Sequence, residues 1–349
     1  MSLTLTVDGD RWRRHLRGTA ERHPGLVPVA KGNGYGFGLG RLARKAQWLG
    51  VDTLAVGTYD EIDETRQRFD GSLLVLTPWR PFGPAVELAP DPRVIHTVGR
   101  LEDLTALLDH DPGARIVLER MTTMLRHGFT ARGLRDAGAL LRDRPRAQLE
   151  GVAFHLPLAQ GSHLGQVERL MTDVVAAGLD TSTIWVSHLT DAELTALESS
   201  YADFTWRPRV GTGLWLGDRG ALRVTATVLD VHPLERGDVF GYRSRTAPKS
   251  GHLLVVSGGT AHGIGLEAPT GDPSIKARAA SIARGGLDAV GFVRSPYSIG
   301  GKQRLFAEPP HMQASMLFLP TGAPVPAVGD QVDVRVRYTA TWFDRVVVS

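Results

Sequence analysis

The 349-residue chain has no cysteine at all. That absence removes disulfides, thiolate zinc sites and cysteine nucleophiles together. No stretch of about 18 apolar residues runs free of charge, so no membrane-spanning helix is expected. The opening string Met-Ser-Leu-Thr-Leu-Thr-Val-Asp lacks the basic and apolar regions of a secretory signal, and the expectation is a soluble cytoplasmic protein. Neither sign of charge dominates: 40 Lys and Arg stand against 37 Asp and Glu, a net charge of +3 without a long basic run. Nucleic acid is therefore not implied as a partner, nor is a membrane surface. Internal repeats and low-complexity segments are also missing.

What the chain has is length and rhythm. A chain of this size exceeds one ordinary core, which suggests a barrel of about 250 residues plus a smaller domain. Short runs rich in Val, Ile and Leu alternate with charged segments of helical period, the sequence form of repeated βα units. Eight strands are expected at 26–31, 53–58, 73–78, 93–98, 115–120, 149–156, 183–189 and 204–211. Eight parallel strands favour a closed (β/α)8 TIM barrel over an open doubly wound sheet, which normally carries a Gly-rich dinucleotide turn after its first strand. The first helix is expected to be capped by Asp10, with Trp12, Leu16 and Ala20 on its apolar stripe. The second carries Leu42, Ala43, Ala46 and Leu49 and should stop at Gly50. Past Gly211 the pattern becomes alternating, as in 222–230 and 331–339, which reads as a mainly-β C-terminal domain. A helical island is expected at 277–287 and a Pro-rich loop at 320–329. The division expected is an α/β barrel over 8–219 and a β domain over 220–349, with residues 1–7 as a candidate extra strand of the latter.

The first barrel strand ends in Val29-Ala30-Lys31-Gly32-Asn33-Gly34-Tyr35-Gly36-Phe37-Gly38. C-terminal strand ends face the active site of such a barrel, so Lys31 should stand in its mouth. Desolvation disfavours a charged amine, and a neutral amine attacks aldehydes. The glycines let backbone approach a bulky ligand, and Tyr35 offers a hydroxyl to a phosphate. A solvated or ion-paired surface lysine is the plainer reading of Lys31 taken alone.

The string Ala-Lys-x-x-x-Tyr-Gly-x-Gly resembles the cofactor-binding motif of the alanine racemases, fold-type III enzymes that use pyridoxal 5'-phosphate (PLP). The resemblance implies that Lys31 forms the Schiff base and that Tyr35 binds the PLP phosphate. By the same resemblance His155, closing Gly-Val-Ala-Phe-His, packs on the pyridine ring, although a satisfied core histidine would look the same. Arg209 contacts the ring nitrogen, and Gly211 with Thr212 forms the turn at the phosphate. A cation at that nitrogen keeps it unprotonated and suits short-lived carbanions. Arg126 is the residue implied to touch the PLP phenolic oxygen and the substrate carboxylate, and Met312 the one whose backbone receives that carboxylate. Ser187 and His188 are implied as cofactor neighbours.

The chain also departs from the family. Glu119 stands where many members carry a carbamylated lysine, and can offer the same anion to an arginine. Where racemases carry a catalytic tyrosine in Gly-Tyr-Ala-Asp-Gly, given across a dimer interface, this chain reads Gly259-Thr260-Ala261-His262-Gly263. An unactivated threonine hydroxyl is no general base near neutrality. His262 is the candidate substitute, since an imidazole ordinarily titrates in that range; a turn-filling role fits it equally. Gln313 replaces an aspartate, and Tyr338 does not take the place of the family's late phosphate-binding tyrosine. The expectation is an isomerase interconverting L- and D-amino acids, alanine first, as a homodimer and without a metal. Two alternatives stay open: a PLP-binding homologue without turnover, and a PLP lyase or epimerase acting on another amino acid.

Overall fold

The computed structural model describes residues 2–158, 161–266 and 293–349. Two compact units divide it, one made of Arg14–Gly217 and the other of Met1–Arg13 with Asp218–Ser349. The helix expected at 277–287 lies outside the described residues. Among those described, no helix is long and apolar enough to cross a membrane.

Strand β1 (Leu3–Val7) opens the chain, followed by helix α1 (Gly9–Arg22). The cap of α1 is Asp8 rather than the expected Asp10, because Asp8 Oδ1 accepts the Arg11 N–H at 2.9 Å. Asp10 lies inside the first turn and pairs with Arg13 on the surface. Trp12 and Leu16 are fully buried, whereas Ala20 is only half-buried and Thr19 takes the inner position.

The larger unit is a closed barrel of eight parallel strands in chain order. These are β2 (Val27–Ala30), β3 (Thr53–Val56), β4 (Ser72–Val75), β5 (Val94–Val98), β6 (Arg115–Arg120), β7 (Gln148–His155), β8 (Thr183–Ser187) and β9 (Thr205–Val210). Between and after them run α2 (Leu39–Leu49), α3 (Ile62–Arg66), α4 (Pro84–Glu87), α5 (Leu101–His110), α6 (Ala131–Arg142), α7 (Leu164–Ala177), α8 (Asp191–Ser200) and α9 (Thr212–Trp215). Gly50 ends α2 in the left-handed region, φ 71°, as the sequence suggested.

Side chains alternate across a strand, so one residue in two points into the barrel. Val27, Val29, Ala55, Leu74, Ile95, Val117, Ala153 and Trp185 form one buried cluster with a member from each of β2 to β8. Counting on by twos from these inner residues toward the C-terminal strand ends reaches Lys31, Glu119, His155 and Ser187. The inner register of the barrel therefore selects the candidate site.

The smaller unit contains an eight-stranded sheet in which β1 pairs antiparallel with β10 (Leu222–Leu234) and parallel with β18 (Arg345–Val348). Its other members are β13 (Gly251–Ser257), β14 (Arg294–Ile299), β15 (Lys302–Phe306), β16 (Ala314–Pro320) and β17 (Gln331–Val334); β11 (Val239–Phe240) and β12 (Arg245–Thr246) form a small hairpin. The long strand β10 pairs with β17 by its first half and with β13 by its second, which closes β13, β16, β15, β14, β17 and β10 into a ring. The mainly-β C-terminal domain is thus an antiparallel barrel. Its strand at 331–339 is shorter than expected, since pairing stops at Val334.

Candidate active site

Lys31 follows the last residue of β2, in line with the inward Val27 and Val29. Its Cβ leaves no room for a side chain on β3's end: a Cβ on Gly57 would come within 2.9 Å of it. As a residue Lys31 is exposed in the single chain. Partial burial still lowers its proton affinity, and the charges of Arg126 and Arg209 lower it further, against the pull of Glu61. A weakly protonated amine is the form that condenses with an aldehyde.

The loop after Lys31 turns tightly, with Gly34 N–H donating to Lys31 O at 3.1 Å and Phe37 N–H to Gly34 O at 2.9 Å. Tyr35 is held at φ 55°, a left-handed conformation that costs a non-glycine residue about 1–2 kcal/mol. Its ring is buried and its hydroxyl is pushed up to about 12, first by burial and then by Glu61, so it stays a neutral donor. That hydroxyl lies against Gly211: a Cβ there would sit 2.0 Å from it. Helix α9 starts directly beyond, at Thr212, and the Trp215 indole N–H donates to Val29 O at 2.7 Å, tying this turn to β2.

Across the mouth, Glu119 and Arg209 are both buried. Burial pushes the Glu119 carboxyl up, while Arg209 and Arg126 draw it down. Burial likewise lowers Arg209, with Glu119 opposing. Arg209 Nη2 donates to Phe154 O at 3.0 Å, but its buried Nε–H has no partner among the described residues. A buried donor left unsatisfied costs about 1–3 kcal/mol, so this guanidinium suits an acceptor brought by a bound group. Arg126 is exposed and belongs to the same electrostatic cluster, lowering Lys31, His155 and Arg209 alike.

His155 ends β7, its Nδ1 3.1 Å from Ser187 Oγ. Burial, then Arg209 and Arg126, takes it down to about 3, so its imidazole is neutral at any ordinary pH. His188 lies edge-on to it at 5.2 Å and is held in the left-handed region, φ 65°, by donating from Nδ1 to Leu156 O at 2.6 Å. The barrel unit thus brings Lys31, Tyr35, Arg126, His155, Ser187, His188, Arg209, Gly211 and Thr212 to the strand ends of one mouth. The fit to a phosphorylated pyridine aldehyde is good: an amine, a phenol over a glycine cradle, and a buried cation short of one acceptor.

Sequence reasoning missed Glu61. Its carboxylate accepts Gly32 N–H at 2.7 Å and Gly57 N–H at 2.6 Å, and so clamps the ends of β2 and β3 on either side of Lys31. The one visible signal was the Thr58-x-x-Glu61 spacing of a capping box.

Thr260, His262 and Met312 belong to the smaller unit. Thr260 is exposed, and its N–H donates to His311 O at 2.8 Å, while Ala261 N–H donates to Met312 O at 2.9 Å. Met312 is exposed too. His262 is buried with both ring nitrogens engaged: Nδ1 accepts the Gly259 N–H at 3.2 Å and Nε2 bonds Asp344 Oδ1 at 3.0 Å. Asp344 Oδ2 also accepts the Leu3 N–H at 2.8 Å, so His262 links this turn to β1. Among the described residues no group of three or more His, Asp or Glu is placed to hold a metal.

Comparisons with known proteins agree with this geometry. The chain is 26% identical over 269 residues to the alanine racemase of Nitratidesulfovibrio vulgaris strain Hildenborough, covering 71% of this chain and 70% of that one. The alanine racemase of Lawsonia intracellularis is also 26% identical, over 69% of each chain. Among solved structures, the alanine racemase of Bartonella henselae with covalently bound pyridoxal phosphate superposes with a TM-score of 0.75 at 16% identity, over 100% of both chains. A histidine racemase from Leuconostoc mesenteroides subsp. sake gives 0.70 at 17% identity, over 99% of this chain and 98% of that one. The profile of the alanine racemase N-terminal domain matches residues 7–218, more than half of the sequence, and the chain therefore belongs to the alanine racemase family.

Proposed function

We propose that the chain is a PLP-dependent amino-acid racemase acting through Lys31. The observation that carries this reading is the placement of Lys31 at a strand end in the inward register, its proton affinity depressed beside Arg126 and Arg209.

When bound, PLP supplies an electron sink that acidifies the α-proton of an attached amino acid. Lys31 would bind the group covalently and, once freed by an incoming amino acid, hold or return a proton at Nζ on one face. The Tyr35 hydroxyl, with the backbone at Gly211 and Thr212, would hold the phosphate. Arg209, whose buried Nε–H has no partner among the described residues, would hold the ring nitrogen, and a cation there would keep that nitrogen unprotonated and limit how long charge is stored. His155, Ser187 and His188 would pack around the ring. Arg126 would receive the substrate carboxylate. Glu61 orients Lys31 indirectly, by fixing the amides on both sides.

Alanine is the substrate proposed first, since the curated relatives are alanine racemases. The histidine racemase of like fold places histidine second in the panel to try. A homodimer is part of the proposal. A second reading, cofactor binding without turnover, is favoured by one observation: Thr260 holds the tyrosine position and His262 has no free nitrogen.

The test is to load the protein with PLP, reduce with borohydride and map the label, then follow L- and D-alanine in deuterated water by NMR and chiral chromatography. Label on Lys31 with α-proton exchange and inversion is the expected result. Label without exchange from any amino acid of the panel favours the second reading, and no label on Lys31 sinks both.

A further inference from the structure

Neighbouring parallel strands hold each other by N–H···O=C bonds until they part, and beyond that point the freed amides need other acceptors. Strands β2 and β3 pair Val29 with Ala55 and Ala30 with Val56. Lys31 and Gly57 stand one step past the last pair, where both chains leave the sheet. The amides of Gly32 and Gly57 turn there to a single side chain. Glu61 Oε1 accepts the Gly32 N–H at 2.7 Å, and its Oε2 accepts the Gly57 N–H at 2.6 Å and the Thr58 N–H at 3.3 Å. Gly57 is gripped from its other side as well, its carbonyl accepting the Thr77 N–H at 2.9 Å and the Thr77 hydroxyl at 2.7 Å.

A glutamate three residues after a turn-opening threonine has an ordinary use as a cap. That use accounts only for the longest of the three bonds, and the Gly32 bond reaches back 29 positions to the end of another strand. The turn that carries Glu61 is itself anchored: the buried Tyr59 has its hydroxyl 2.9 Å from His96 Nδ1 on β5, and the Thr65 hydroxyl donates to Glu61 O at 2.8 Å. A carboxylate on a held turn, bridging two strand ends, fixes the direction in which the Lys31 side chain leaves the backbone. Its charge falls at the same place. Lys31 is faced by Arg126 beyond β6, by Arg209 on β9, and by His155 and His188 at the ends of β7 and β8. The two guanidiniums lower its proton affinity and Glu61 opposes them. Glu61 also acts on the neighbouring Tyr35 hydroxyl, helping to keep it protonated.

We propose that Glu61 is a positioning residue for Lys31: its carboxylate carries the pairing of β2 and β3 past their last sheet bond, fixes the backbone on both sides of the amine, and stands as counter-charge among the cations of the mouth. The inference rests on the reading of Lys31 as the lysine that condenses with PLP, and adds to it the group that aims and tempers that amine. Glu61 exchanges no proton in the reaction and acts through Lys31.

The experiment compares wild type with Glu61→Gln, Glu61→Ala and Thr58→Ala, the last removing the hydroxyl that opens the turn while leaving both strand-end amides their acceptor. The chain has five lysines, few enough for reductively ¹³C-methylated ε-amines of the unloaded protein to be resolved by NMR, with Lys31 identified by its loss in Lys31→Arg. In both Glu61 variants the Lys31 signal is expected to titrate at lower pH than in wild type, with those of Lys45, Lys249 and Lys302 unmoved. Free PLP is then added to unmethylated protein at a pH above all of these Lys31 midpoints, so that ionisation no longer enters, and condensation is followed by its absorption band. Its rate constant should fall about tenfold in Glu61→Gln, whose amide oxygen cannot serve both N–H groups, and further in Glu61→Ala. Borohydride reduction and peptide mapping verify that the label is on Lys31, and Thr58→Ala should match wild type in both readouts. An unmoved Lys31 titration, or a condensation rate in the isosteric Glu61→Gln equal to wild type, overturns the proposal. So does Thr58→Ala reproducing the losses, which would reduce Glu61 to a cap, or lower urea midpoints in the Glu61 variants with both readouts unchanged. Wild type that takes no label at Lys31 defeats the cofactor reading and this assignment with it, whereas a labelled Lys31 indifferent to Glu61 defeats this assignment alone.

Discussion

Tyr35 and Gly211 make the sharpest contact in the candidate site. Because an added Cβ at 211 would fall 2.0 Å from the Tyr35 hydroxyl, Gly211→Ala must displace a buried, backbone-strained phenol. A PLP titration should show affinity lower by about tenfold or more, roughly 1.4 kcal/mol. In a Tyr35→Phe background, where the clashing oxygen is gone, the same substitution should cost clearly less; equal costs in both backgrounds would refute the contact as the cause. His96 gives a second residue-scale prediction. It is buried on β5 and hydrogen-bonded through Nδ1 to the Tyr59 hydroxyl at 2.9 Å, and burial takes it down to about 4. The unfolded chain binds a proton at this group near pH 6.5 and the native state does not until about pH 4. Stability is therefore lost as pH falls through that window, by about 2 kcal/mol between pH 7 and pH 5. Urea midpoints should show the loss, and His96→Gln should remove most of that pH dependence.

Elements were legible where one physical signal decides them. All eight barrel strands lie within a few residues of the expected positions, and β2 to β5, the clearest Val, Ile and Leu runs, are buried along nearly their whole length. Lys31, Glu119, His155 and Ser187 share the inner parity, so even their common direction could be counted from the sequence once the strands were placed. Caps were less legible. Asp8 and Asp10 are both acceptable capping residues, and the choice depends on where β1 releases the chain, a tertiary fact. Asp8→Ala should cost about 1 kcal/mol in thermal or urea unfolding and Asp10→Ala close to nothing; the reverse ranking would contradict the cap. The role of His262 was hidden because its partner, Asp344, lies 82 residues further on. The exposure of Lys31 in the single chain was not legible, since solvent access at a strand end is set by whatever covers it.

For the whole molecule, the proposed homodimer gives a mass to measure. Sedimentation at working concentration should give twice the chain mass, and a single-chain mass under the conditions of the activity test would refute the dimer.

The pairing of β1 with β10 and β18 sets an order of events during synthesis. Residues 3–7 leave the ribosome before the barrel does, yet both neighbours they need are encoded downstream of it. The barrel can condense while β1 waits, its backbone donors open to any other edge. Strand β18, at Arg345–Val348, then acts as a closing latch. Stalling or nicking a few residues short of it should leave a product with a finished barrel and a sticky, half-mated β1, prone to clumping and to chaperone capture.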